Sequence, residues 1–174
     1  MNITIRQEKE ADYPFVHEVN NLAFGQDSEA NLVDALRKNT EAFIPELSIV
    51  ATIDDEVVGH ILFTRIRIID DNHNEFGSLA LAPMAVNPAY QKKGIGGRLI
   101  KSGLEKARQL NFRSIIVVGH EQYYPKFGFI PAGQWNIKAP FDVPANAFMA
   151  IELIPHGLKG VKGTVKYPIE FDGV

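Results

Sequence analysis

Residues 91–98, Gln-Lys-Lys-Gly-Ile-Gly-Gly-Arg, constrain this chain more than any other stretch. Three glycines and three basic residues fall together, and an amphipathic pattern follows at once. Ile95, Leu99, Ile100, Leu104 and Ala107 share one face, while Arg98, Lys101, Glu105 and Arg108 fall elsewhere, so the spacing predicts a helix from about Ile95 to Gln109. A helix start carries unpaired N–H groups and a partial positive charge. Glycines before it let the backbone approach a ligand, and the amides can then cradle phosphate oxygens. Lys92 and Lys93 add charge, unless they and Arg98 are simply solvated. Two familiar phosphate loops do not fit. The Walker pattern needs Gly-Lys-Ser/Thr where Gly97-Arg98-Leu99 stands. The dinucleotide fingerprint needs a small residue where Leu99 sits. Taken alone, the loop also suits a tight turn that packs a helix closely on a strand.

The rest of the chain reads as mixed α/β. NITIR (2–6) alternates like a short strand. Asp12 is a candidate cap for a helix with Pro14 in its first turn and Phe15, Val16, Val19, Leu22 and Ala23 on its apolar face. A second helix fits 28–38, with Leu32, Val33 and Leu36 inward, after a loop at 24–27. Stretches 47–53, 57–69 and 76–86 read as strands, joined by the polar turns 54–56 and 70–75. Pro83 cannot donate to a ladder and implies a bulge or break. RSIIVVG (113–119) suits a strand buried on both faces. A strand at 147–154 follows, and GTVKYPI (163–169) is able to add an edge strand. No linker divides the chain.

Composition narrows the function. At 174 residues, 45% hydrophobic and 22% charged, the chain resembles an ordinary globular domain. It has no cysteine, which excludes disulfides, thiolate metal sites and a cysteine nucleophile, and fits a reducing, cytoplasmic setting. The opening MNITIRQEKEADY has no apolar core of a secretory signal, and no apolar run approaches the roughly 20 residues of a membrane helix. A net charge of −3 argues against a nucleic-acid partner, so the local charge at 92–98 suits a small anionic ligand. The five histidines form no metal-binding motif, and no GxSxG elbow is present.

The flanks of the loop carry a resemblance. A strand ending Ala85-Val86, then Asn87-Pro88, then Gln91-x-x-Gly94-x-Gly96 and an apolar helix resembles motif A of the GNAT superfamily of N-acetyltransferases. Downstream, Tyr124-x-x-x-Gly128-Phe129 resembles the family's motif B, and the order of elements is similar over about 2 to 154. GHEQYYPKFGF with the GTVKYP tail looks like a branch of small bacterial acetyltransferases.

The resemblance implies a single-domain α/β GNAT-like fold over 1–174: a mixed central sheet with splayed strands, helices packed on both faces, and 155–174 as a C-terminal extension. It implies acetyl-CoA as co-substrate and direct attack by a primary amine in a ternary complex. Cofactor contacts map onto Met84, Ala85, Val86, Gln91, Lys92, Lys93, Gly94, Ile95, Gly96, Gly97 and Arg98. Tyr124 matches the family's proton donor to the departing thiolate, unless it only packs against Phe127. The family's strand glutamate is missing from Leu79-Ala80-Leu81-Ala82, and Val117 stands where many members have asparagine. The base is then His120, Glu29 or water alone. The acceptor, a small-molecule or peptide amine, is expected near Phe24, Glu29, the 120–124 segment and the tail. No nucleic-acid or membrane partner is implied, and a homodimer is the one assembly considered. The alternatives are a non-catalytic acyl-CoA-binding sensor and a nucleotide-phosphate binder.

Overall fold

The computed structural model describes residues 1–174. β-Branched runs between polar turns build an antiparallel meander of β1 (Ile3–Gln7), β2 (Phe43–Ile53), β3 (Glu56–Ile69) and β4 (Glu75–Val86), whose central strands are buried on both faces. The β2–β3 hairpin turns on Asp54 and Asp55, both at positive φ, the backbone that matches a hairpin's twist. From β4 the chain crosses through α3 (Ile95–Gln109) to β5 (Ser114–Val118), which lies parallel to β4. Two-residue strands β6 (Ile130–Pro131) and β7 (Ile137–Lys138) precede β8 (Phe148–Glu152), which pairs antiparallel with β5 and β6. The tail strand β9 (Gly163–Lys166) pairs with Arg67–Ile69 of β3, past the end of β2, and with β7.

Alternating side chains assign the two faces. Ile49, Ala51, Ile61, Phe63, Ile115 and Val117 pack under α3 with Ile95, Leu99, Ile100 and Leu104. Val50 and Leu62 point the other way, onto α1 (Tyr13–Phe24) and α2 (Ser28–Arg37). On that same face Ala80, Ile116 and Ala150 lie beneath the 132–165 segment. The fold is therefore α/β with helices on both faces of a mixed sheet. No helix is long and apolar enough to cross a membrane.

Two local expectations change. Asp12 does not cap α1. Its carboxylate accepts two bonds from the Arg6 guanidinium (2.7 and 3.0 Å) and one from the Lys9 N–H (2.7 Å), inside a 3-10 turn that precedes the helix. Charge-assisted bidentate pairing outweighs a cap bond, and it holds the Asp12 carboxyl below its ordinary range. Along α1, Val16 and Val19 are buried but Phe15 and Leu22 are exposed. The contact stripe is completed by Asn20, fully buried, which donates to the Val16 carbonyl (3.0 Å).

Asn20 belongs to a polar seam that fastens α1 and α2 to the sheet. Ser48 of β2 donates to Glu8 (2.9 Å) and lies 2.9 Å from His60 Nε2 on β3. Glu8 in turn pairs with Arg37 of α2, whose other arm reaches Asp34 (2.8 Å). With the serine proton committed to Glu8, His60 Nε2 must be the donor to Ser48. The Asn20 amide nitrogen faces His60 Nδ1 at 3.5 Å, and complete burial favours the neutral ring.

Candidate active site

The site begins where the sheet opens. β4 and β5 pair only at Leu79↔Ile115 and Ala80↔Ile116. Beyond these pairs β5 stays with β8, and β4 stays with β3 as far as Val86, so the outer edge of 81–86 has no strand partner. A register shift between Ile61↔Met84 and Phe63↔Leu81 bulges β4 at Ala82 and Pro83. This is the break that a proline without an N–H demands.

The glycine loop lies at the end of that free edge. Lys92 (φ 64°) and Gly94 (φ 81°) are both left-handed, and Gly94 is the N-cap of α3 without any side-chain cap. The first amides of α3 are therefore free to meet an anion, and its first turn carries no acidic side chain. Gln91 folds back to the Val86 carbonyl (3.1 Å), and Arg98 reaches the Ile3 carbonyl (3.3 Å) instead of turning into the loop. Lys93 hangs 5.9 Å from the centre of the Tyr90 ring, and both lysines are exposed. Ile95 is buried under the sheet, and Ala85 faces α1 and α2.

Gly96 and Gly97 bring α3 against the aromatic turn. A Cβ on Gly96 would meet the Tyr123 hydroxyl at 3.2 Å and Met84 Cε at 3.4 Å, and one on Gly97 would touch Phe127 at 3.6 Å. Tyr124 opens that 3-10 turn (Tyr124–Phe127) and is 8% exposed. Its ring meets Tyr123 (5.2 Å) and Phe129 (5.7 Å) edge-on. Phe127 stacks edge-on with Tyr123 (5.3 Å), so the aromatic partners of Tyr124 are Tyr123 and Phe129 and not the Phe127 of the packing alternative. Burial, helped by Tyr123, pushes the Tyr124 hydroxyl up to about 12, so at neutral pH it keeps its proton.

Tyr124 borders a hollow of about 260 Å³ at the opening, together with Phe24, Glu29, Pro83, Met84 and Phe171. Residues from six separate stretches meet there: the end of α1, α2, β4, the end of β5, the aromatic turn and the tail. Glu29 accepts from the Gln26 amide (3.0 and 3.2 Å). His120 is not part of this hollow. It is exposed and lines a separate shallow depression with Glu121, Pro144 and Ala147. Phe171 and Val118 were not singled out from the sequence. Phe171 sits in a short irregular tail with no periodicity, and only the aromatic content of that tail hinted at packing.

A sheet that opens between two parallel strands, beside an uncapped glycine-led helix, is the architecture of the N-acetyltransferases. Residues 7–129 match the Acetyltransferase (GNAT) family, and the chain belongs to that family. It is 39% identical over 144 residues to the uncharacterized N-acetyltransferase YjhQ of Escherichia coli K12, covering 82% of this chain and 78% of that one. Among solved structures it resembles YhbS of Escherichia coli, crystallised with CoA, at a TM-score of 0.89 and 28% identity, over 99% of this chain and 93% of that one. It also resembles a GNAT family acetyltransferase of Brucella melitensis in complex with acetyl-CoA, at a TM-score of 0.78 and 32% identity, over 98% and 99% of the two chains.

Proposed function

We propose that the protein transfers an acetyl group from acetyl-CoA to a primary amine, by direct attack with both substrates bound. The observation that carries this reading is the convergence of Tyr124, Met84, Glu29 and Phe24 on one hollow at the opened strands. The CoA and acetyl-CoA held by the YhbS and Brucella proteins support the choice of acyl donor.

The residues present fit that donor. The uncapped amides at 94–97, with Lys92 and Lys93, suit a pyrophosphate. The unpaired edge at Met84, Ala85 and Val86 suits an extended amide-bearing arm, which would bond to it as a strand does. The amine nitrogen attacks the thioester carbon, a C–N bond forms, and the C–S bond breaks. Donors near Met84 meet the charge that develops on oxygen. Tyr124 gives its proton to the departing thiolate. Glu29 holds the incoming ammonium and, directly or through water, accepts the proton it sheds. His120, outside the hollow, is given no part.

Thiol release from acetyl-CoA across a panel of amines, with CoA binding measured by calorimetry, tests the proposal. Amine-dependent release supports it. Tight CoA binding with no release for any amine identifies a sensor and removes the transferase reading.

A further inference from the structure

A second cavity lies behind the opening, on the face that carries α1, α2 and the tail. Its volume is about 600 Å³, and ten of its thirteen lining residues are apolar. Ala80, Ala82 and Ile116 form its floor on either side of the splayed strands. Phe141, Tyr167 and Phe171 form its wall, with ring centres 6.0 and 5.2 Å apart in sequence. Burial pushes the Tyr167 hydroxyl up to about 12, so the wall presents it uncharged. Ala82, Val118 and Phe171 line both this cavity and the hollow that holds Tyr124 and Glu29. The two spaces therefore adjoin at the point where the strands part.

From this arrangement we infer that the acceptor is a primary amine with an apolar, aromatic or branched body, which fills the second cavity while its ammonium meets Glu29. This rests on the transferase reading above. The volume far exceeds what an acetyl group needs. Of the charged groups, Glu29 lines only the smaller hollow, whereas the larger cavity has Lys166 and Asp172, whose opposite charges offer no net attraction to a second ammonium. A hydroxylated or polycationic acceptor would leave polar groups unpaired against Ala80, Ile116 and the aromatic wall, which is costly. An apolar body gains instead from each buried methylene.

The test compares kcat/KM for 2-phenylethylamine and 3-methylbutylamine with that for ethanolamine and spermidine, using acetyl-CoA and then hexanoyl-CoA. The expected result is a preference of at least ~10-fold for the apolar amines, since burying even two methylene groups is worth that much. Phe141→Ala, at a ring that is 48% exposed and so spared by the core, should shrink that ratio without loss of folding. Preference for spermidine or ethanolamine overturns the inference and leaves acetyl transfer intact. A preference for hexanoyl-CoA coupled with indifference to the amine assigns the cavity to the acyl chain and also overturns it. CoA binding without transfer to any amine overturns this inference and the transferase reading together.

Discussion

The ring of Tyr124 lies so close to Gly119 that a methyl group on Gly119 would stand 2.3 Å from Tyr124 Cε2. No side chain fits there unless the tyrosine moves. Gly119 thus sets the position of the proposed proton donor from the end of β5. Gly119→Ala should displace the hydroxyl by a fraction of an ångström or more, and such misplacement can cost ~10²-fold in rate. The loss should fall on kcat, with CoA affinity nearly kept, because the loop at 92–98 is untouched. A variant with wild-type kcat would show that the ring has room to yield.

Tyr124→Phe removes only the hydroxyl. The edge-on contacts with Tyr123 and Phe129 survive, so folding and CoA affinity should change little. The chemical step should slow by ~10²-fold, the usual range for a positioned general acid. Alkaline titration offers a second readout. With its hydroxyl at about 12, Tyr124 should be among the last tyrosines to ionise, together with Tyr167. Tyrosinate absorbance of the variant should lose part of its latest step. Single-turnover chemistry as fast as wild type would end the donor role.

What the sequence reveals divides along physical lines. α3 is legible because its 3.6 period survives into burial, and the meander because β-branched runs stand between polar turns, although its central strands are buried on both faces. The opening at β4 is legible in Pro83, which removes a ladder donor. The seam of Glu8, Arg37, Ser48 and His60 is not. Its members lie up to about fifty positions apart and individually look like surface residues, and only the sheet register brings Ser48 and His60 together. The aromatic wall is hidden for a related reason: Phe141, Tyr167 and Phe171 come from irregular segments, where no periodicity marks an inward face. His120 shows the converse. Its place just past the buried strand 113–119 made it a candidate base, but its side chain is exposed and lies outside the hollow of Tyr124.

Gly96→Glu should weaken CoA binding by at least ~10-fold, which needs only ~1.4 kcal/mol. The new side chain would start 3.2 Å from the Tyr123 hydroxyl and 3.4 Å from Met84, and its charge would oppose a phosphate at the helix start. Calorimetry on the folded variant provides the check. Gly94→Ala is the companion, because nothing lies within 4 Å of a Cβ there. Its effect, strain at φ 81° alone, should be smaller. If both variants bind CoA like wild type, the pyrophosphate lies elsewhere.

The buried seam predicts how the fold responds to acid. Burial, with Arg37 nearby, depresses His60 from 6.5 to about 3. The Glu8 carboxylate stands 4.0 Å away, close enough to favour a charged ring, yet its lone pairs are engaged by Ser48 and Arg37. The neutral ring is therefore the one the site accommodates. An unfolded His60 takes up its proton below about 6.5, whereas the folded one does not until about 3. The unfolded state thus binds more protons across that window. The contribution of His60 is fully present above 6.5 and is lost as pH falls toward 3. Chemical denaturation at stepped pH should show stability falling through that range. Other carboxylates titrate there too, so the informative quantity is the difference in slope between wild type and His60→Gln. Glutamine retains a donor for Ser48 but cannot titrate, and its slope should be shallower even if its stability at pH 7.5 is lower. Equal slopes between pH 6.5 and pH 4 would mean that His60 protonates freely in the folded protein. Arg37→Met tests the same seam by charge. It strands Glu8, whose side chain is 3% exposed, and breaking a buried pair from one side typically costs ~3–5 kcal/mol. Because Arg37 ties α2 to the sheet, that variant should also loosen the wall at Glu29 and raise KM for the amine more than for acetyl-CoA.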